Sequence, residues 1–194
     1  MIDEAQARSI LGAAVALLSK GRVEEGKKLL QDSLDSMPET IRLESMGDIA
    51  FHERNMQQAI DHFEAALRLD PERVIARYQY IGATVEERAG HIVEAFKHYQ
   101  VAIDAEPDFA DPYVDLGGLL VKIKDFAGAA QCYRDAVRLE PDDPYNLANL
   151  KAVLEQLAAR EPDRYGQELI DTEKALRELT QTRKLDDTVK GRHW

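Results

Sequence analysis

Ala129-Ala130-Gln131-Cys132-Tyr133-Arg134-Asp135-Ala136-Val137-Arg138-Leu139-Glu140-Pro141 decides the fold, because its small and ring-bearing residues recur in step elsewhere. Counted back from Pro141, alanine stands five and twelve residues earlier and tyrosine eight earlier. The same offsets from Pro71 give Ala66, Phe63 and Ala59, and from Pro107 they give Ala102, Tyr99 and Ala95. Spacings of three and four put such residues on one face of a helix. The alanines let a second helix approach closely, and the ring fills the space beside them.

The prolines mark the period. Pro38, Pro71, Pro107 and Pro141 are 33, 36 and 34 residues apart, and the last three follow an acidic residue. Proline disfavours helical geometry in the residue before it and cannot donate to the preceding turn, so each marks a helix end. A partner helix lies upstream in each unit. Gly47, Gly82 and Gly117 precede Ala59, Ala95 and Ala129 by 12, 13 and 12 residues, each behind a bulky neighbour: Met46, Ile81 and Leu116. Glycine inside a helix costs roughly 1 kcal/mol relative to alanine, so its recurrence at one place predicts a close helix crossing.

This pattern resembles the tetratricopeptide repeat family, whose unit is about 34 residues of helix, turn and helix. The best match is 110–143, with Tyr113, Leu116, Gly117, Leu120, Ala129, Tyr133, Ala136 and Pro141. Residues 40–73 match through Gly47, Ala50, Ala59, Phe63, Ala66 and Pro71. Residues 75–107 match through Tyr78, Ile81, Gly82, Val85, Ala95, Tyr99, Ala102 and Pro107, with one extra residue near Gly90. The resemblance implies an all-α fold: a right-handed α-solenoid of stacked antiparallel hairpins, about ten helices in all.

The ends depart from the pattern. Residues 7–39 keep the length but carry Gly26, Leu30 and Ser33 where alanine, aromatic and alanine are expected. They read as a degenerate first repeat. Residues 144–182 read as a capping pair, one helix to about Ala159 and a longer one from Pro162 to about Gln181, apolar at Leu169, Ile170, Leu176 and Leu179. A terminal repeat needs a more polar outer face. The expected organisation is a single solenoid over 1–182 and a polar tail over 183–194, in which Trp194, the only tryptophan, either frays or docks on a neighbouring surface.

Composition narrows the function. The chain carries 36 acidic and 25 basic side chains, a formal charge of −11. A polyanion would be repelled at long range, which argues against nucleic-acid binding. The single cysteine, Cys132, excludes an internal disulfide. The opening Met1-Ile2-Asp3-Glu4 lacks a basic stretch, and the apolar run from Ile10 to Leu18 is too short for a bilayer. A cytoplasmic protein with no membrane contact is expected. No phosphate loop, dinucleotide fingerprint, zinc-protease motif or nucleophile elbow occurs, so neither catalysis nor a cofactor is expected. His62, His98 and Cys132 share one repeat position, yet equivalent positions on stacked hairpins lie roughly 10 Å apart. No metal site is expected from them.

By resemblance, the first helix of each hairpin lines a concave groove. The positions that would face a partner are Ile41, Glu44, Asp48, Phe51 and His52 in 40–73, and Ala76, Gln79, Ala83, Glu86 and Glu87 in 75–107. In 110–143 they are Asp111, Val114, Gly118, Val121 and Lys122, and the capping pair adds Tyr145, Ala148, Ala152, Glu155 and Gln156. The family members that grip chaperone C-termini use Lys and Asn in these places. Here Leu11 and Val15, or Glu44 and Asp48, stand instead, so a free carboxylate would meet acids. The expected partner is a protein: a helical or extended segment with apolar anchors and some Lys or Arg. The alternative is self-association through the terminal repeats. On this reading Glu44 and Asp48 are surface groups whose reversal to lysine spares the fold.

Ala102→Trp overpacks a predicted helix crossing and is expected to cost about 3 kcal/mol, measured by urea unfolding.

Overall fold

The computed structural model describes the backbone of residues 2–19 and 21–190. It forms two compact units, Met1–Glu106 and Pro107–Trp194, each described by itself below. Among the described residues there are ten α-helices and no strand.

The first unit holds three antiparallel hairpins: α1 (Glu4–Ser19) with α2 (Val23–Gln31), α3 (Glu39–His52) with α4 (Met56–Leu69), and α5 (Pro71–Ala89) with α6 (Ile92–Ala105). A 3-10 turn, Leu34–Ser36, leads from the first to the second. The second unit holds two hairpins, α7 (Ala110–Lys122) with α8 (Phe126–Leu139), and α9 (Pro144–Ala158) with α10 (Pro162–Lys190). Stacked antiparallel hairpins are what the repeat predicts.

Every hairpin from α1–α2 to α7–α8 turns in the same way. Gly21, Arg54, Gly90 and Lys124 all have left-handed backbone, with φ of 75°, 63°, 83° and 64°. In each turn the residue after it donates its amide to the carbonyl five residues back: Arg22 to Leu17, Asn55 to Ala50, His91 to Glu86 and Asp125 to Leu120, all at 2.9 Å. This bond closes a helix C-terminus around a left-handed residue. Glycine takes that conformation without penalty, whereas Arg54 and Lys124 are held there by the turn. The second helix then starts on a side-chain cap in two hairpins. Asp125 accepts from the Gly128 amide at 2.9 Å and Asn55 from the Gln58 amide at 3.4 Å.

The prolines do two jobs. Pro71 sits in the first turn of α5, directly after α4, with Asp70 closing one helix and opening the next. Its missing N–H is no loss in a first turn. Pro107 and Pro141 instead enter a short turn before the following helix.

The recurrent residues form the cores. Ala59, Phe63, Ala66, Ala95, Tyr99, Ala102, Ala129 and Ala136 are fully buried, and Tyr133 is 5% exposed. A Cβ on Gly47 would lie 2.4 Å from the Phe63 ring, and one on Gly117 would lie 2.7 Å from Tyr133. The missing side chain is what admits the ring. Gly82 differs: a Cβ there would meet only His98, at 3.6 Å. His98 Nδ1 bonds to Gln79 Oε1 at 2.5 Å, and the Tyr99 hydroxyl donates to Glu87 Oε2 at 2.7 Å. The first hairpin packs Ala7, Leu11, Ala14 and Leu18 of α1 on Leu30, Met37 and Ile41, an aliphatic core where the later hairpins use a ring.

In the second unit, Arg134 of α8 holds Glu168 of α10 in a two-pronged ion pair at 2.6 and 2.8 Å. Tyr165 and Thr172 of α10 are buried, whereas Ile170, expected on its apolar face, is 59% exposed. α10 also runs beyond its expected end at Gln181, to Lys190. Residues 182–190 lack an apolar stripe but contain neither glycine nor proline, so nothing in the backbone stops the helix before Gly191. Gly191 to Trp194, with the docking expected of Trp194, lie outside the described residues.

Candidate functional site

The inner face of the first unit is built by α1, α3 and α5. On α3, Ile41, Glu44, Ser45 and Asp48 face inward, at 1%, 4%, 0% and 4% exposure. Ser45 satisfies its hydroxyl by donating to the Ile41 carbonyl at 2.8 Å. The two carboxylates are met by arginines from the flanking hairpins. Arg8 Nη2 of α1 lies 3.6 Å from Glu44 Oε1, and Arg77 Nη1 of α5 donates to Asp48 Oδ1 at 3.2 Å. The first helices of three hairpins are therefore stitched by alternating charges, with α3 supplying both acids.

This arrangement corrects the sequence reading of Glu44 and Asp48 as surface groups. One turn apart on α3, beside the tight crossing at Gly47, they are enclosed by the neighbouring hairpins. Burial pushes the Asp48 carboxyl above the usual range, with the Arg77 guanidinium pulling the other way through charge and hydrogen bond. His52, at the end of the same helix, is held below the usual imidazole range, first by burial and then by the Arg77 charge. Ile41, Ala76 and Ala83 are also in the core, at 1%, 2% and 0% exposure, which leaves them little to offer a partner.

The other expected positions keep some access. Phe51 is half-buried, stacked edge-on to His52 at 5.3 Å and tilted against Tyr80 at 5.6 Å. Gln79 and Glu87 are half-buried and bonded within their own hairpin, to His98 and Tyr99. Glu86 pairs with His91 Nδ1 at 2.7 Å. In the second unit, Asp111, Val114, Gly118 and Val121 are half-buried, Lys122 is exposed, and Tyr145 stands 64% exposed. Beneath them the Tyr133 hydroxyl reaches to 3.8 Å from where a Gly118 Cβ would stand. Burial, with the Tyr145 and Asp115 charges adding to it, pushes Tyr133 up to about 12.

A cavity of about 350 Å³ opens on the inner face of the first unit. Arg8, Leu11 and Gly12 of α1 line it with Glu44 of α3, Glu72, Ala76 and Arg77 of α5, and Ala105 and Glu106 at the end of α6. Sequence reasoning missed both arginines. Arg8 occupies the second position of the degenerate repeat, equivalent to Ile41, and could have been found there. The need was legible as well, since an acid one turn from a tight crossing calls for a counter-charge.

Among the described residues, no three His, Cys, Asp or Glu side chains gather into a metal-binding group. Burial pushes the Cys132 thiol up to about 11, which leaves it protonated and unreactive near neutral pH. Among the described residues, no helix is long and apolar enough to cross a membrane.

Models of the tetratricopeptide repeat match residues 11–74, 45–108 and 86–154, so successive matches cover most of the chain. The chain belongs to the tetratricopeptide repeat family. The fold agrees: a crystal structure of MamA, 18% identical, superposes with a TM-score of 0.57 over 87% of this chain and 95% of that one. The first tetratricopeptide domain of Spaghetti (RPAP3), bound to the HSP90 peptide SRMEEVD, is 18% identical, with a TM-score of 0.50 over 62% of this chain and 94% of that one. Among curated proteins, human protein O-mannosyl-transferase TMTC1 (Homo sapiens) is 27% identical over 155 residues, which are 77% of this chain and 17% of that protein. The wheat (Triticum aestivum) Hsp70-Hsp90 organizing protein is 23% identical over 111 residues, 57% of this chain and 19% of that protein. This tetratricopeptide repeat chain thus spans less than a fifth of the length of each.

Replacing Glu44 and Asp48 together by lysine would bury two cations beside Arg8 and Arg77. The loss is expected to be about 3–5 kcal/mol or more, read as a fall in the far-UV circular dichroism midpoint. A midpoint within a degree of wild type would show that the two acids are not structural.

Proposed function

We propose that this chain is a protein-interaction scaffold that holds a partner segment on the first-helix faces of its units. The observation that carries the reading is the character of the accessible first-helix positions. Phe51, Val114, Val121 and Tyr145 keep apolar surface accessible there, among acids such as Glu86 and Asp111. Interfaces draw their affinity from aromatic and aliphatic anchors, while surrounding charges set encounter rate and register. A net charge of −11 favours a basic partner. The segment that fits is helical or extended, with apolar anchors and some lysine or arginine. Family membership supports the scaffold role; catalysis forms no part of it.

The test is capture of host proteins by the immobilised full chain, compared with two variants. Val121→Ser with Tyr145→Ala alters the inner face of the second unit, and Val93→Ser alters an exposed second-helix position, 61% exposed. The inner-face variant is expected to lose about tenfold or more of a specifically captured partner, and the control to lose none. Equal capture by all three would sink the reading.

Self-association is the second reading, favoured by Ile170, which stands 59% exposed on the terminal hairpin. Sedimentation velocity across a hundredfold concentration range decides it, because a monomer throughout removes self-assembly.

A further inference from the structure

Tyr133 departs from the other two buried rings. Phe63 has no polar atom, and the Tyr99 hydroxyl donates to Glu87 at 2.7 Å. Tyr133 is only 5% exposed, yet its hydroxyl makes no hydrogen bond among the described residues. Buried phenols are as a rule paired, because enclosing an O–H forfeits its bonds to water. Burial pushes Tyr133 up to about 12, so the oxygen keeps a proton to donate at neutral pH.

The hydroxyl ends at an opening. The ring passes under Gly117, where a Cβ would lie 2.7 Å from it, and its oxygen reaches Gly118. A Cβ on Gly118 would have one neighbour within 4 Å, that oxygen, at 3.8 Å. The ring therefore requires the first glycine and not the second, although a second glycine weakens the helix. The equivalent positions in the first unit, Asp48 and Ala83, carry side chains and are buried, whereas Gly118 is half-buried. Val114 and Val121 flank Gly118 on the same face of α7, both half-buried. Tyr145 of α9, 64% exposed, stands near enough for its charge to act on Tyr133. All five residues belong to the second unit.

Shape and chemistry select the occupant. The gap is one side chain wide, so the entering group must be thin, and it must accept a hydrogen bond. A carboxylate is disfavoured, because the Asp115 charge already acts on this hydroxyl and would repel it. The carbonyls of a helix are engaged within the helix. An extended segment has free main-chain carbonyls, and its backbone can come close where glycine leaves room. The side chains on either side of the bonded carbonyl then reach Val114, Val121 and Tyr145.

From the unpaired hydroxyl and the open glycine above it, we infer that the second unit anchors an extended partner segment through a main-chain carbonyl, which accepts from Tyr133 Oη across the gap at Gly118. The inference rests on the scaffold reading and decides between its two segment shapes.

The experiment is an NMR titration of the full ¹⁵N-labelled chain with two capped pentapeptides. Acetyl-Val-Lys-Val-Lys-Val-amide favours extended backbone, and its counterpart with α-aminoisobutyrate in place of each valine favours a helix. The extended peptide is expected to shift the Val114, Gly118 and Val121 amides saturably, and the helical one to bind about tenfold more weakly or not at all. Tyr133→Phe should weaken the extended peptide about fivefold, the worth of one hydrogen bond, while the urea midpoint holds or rises, because the hydroxyl has no partner inside the chain. Gly118→Leu should abolish the shifts while circular dichroism stays unchanged, because the leucine covers the hydroxyl from open space and favours the helix. Silence at those three amides, preference for the helical peptide, unchanged affinity or a lowered midpoint in Tyr133→Phe, or retained shifts in Gly118→Leu would each overturn the anchor. The peptides need no native partner, so the two ideas fail separately. Silence here with partner capture intact removes only the carbonyl anchor, and capture lost with saturable peptide binding intact removes only the scaffold.

Discussion

A ring laid on a glycine is the contact on which each unit depends. Phe63 lies where a Gly47 side chain would be, and Tyr133 where a Gly117 side chain would be. The contact brings the two helices of a hairpin close enough for the flanking alanines to pack backbone against backbone. Once the crossing is that tight, the rest of the hairpin has little freedom. The turn must reverse in a few residues, and all four such turns solve this with one left-handed residue and the same five-back hydrogen bond. Two of those residues are Arg54 and Lys124, so the turn geometry is imposed by the packed helices on side chains that do not favour it.

Much of this was legible because it is written in periods. Alanine and aromatic offsets predicted the second helices, the glycines predicted the crossings, and acid-proline pairs predicted the ends. What the period could not reveal was environment. Position matching put Ile41, Glu44, Asp48, Ala76 and Ala83 on an accessible face, where packing buries all five. The reason is that a first helix in a stack touches its own second helix and the hairpins on either side, so its inward face is narrower than a single-helix view implies. Gly82 shows the opposite error. It keeps the repeat position, but its hairpin seats the His98 imidazole against it at 3.6 Å, so a side chain there would displace no ring. The end of α10 was misjudged for a third reason: a polar helix needs no apolar stripe if no breaker interrupts it.

Charge placement also divides structure from recognition. Glu44 and Asp48 are paired across hairpins and buried, so they serve stacking. Burial of an ion pair is a poor route to stability, since desolvation offsets most of the attraction. It is an effective route to register, because a neighbour shifted by one turn would leave a carboxylate enclosed without its arginine. The stitched row Arg8–Glu44 and Asp48–Arg77 therefore fixes how α1, α3 and α5 align, and with them the walls of the cavity.

The same residue type can thus carry opposite meanings in one chain, and geometry tells them apart. Gly47 and Gly117 are small because something inside the protein occupies their space, whereas Gly12 is small beside space that nothing in the chain fills. Selection for stability alone would place alanine at the second kind of position, since the helix would gain and no neighbour would object. Gly12 stands exposed on α1, and Gly166 on α10 likewise meets no neighbour, so neither glycine is held by a packing demand. The accessible acids of the first helices differ from the buried ones in the same way: the buried pair is enclosed between hairpins, whereas Glu86 and Asp111 keep access to solvent.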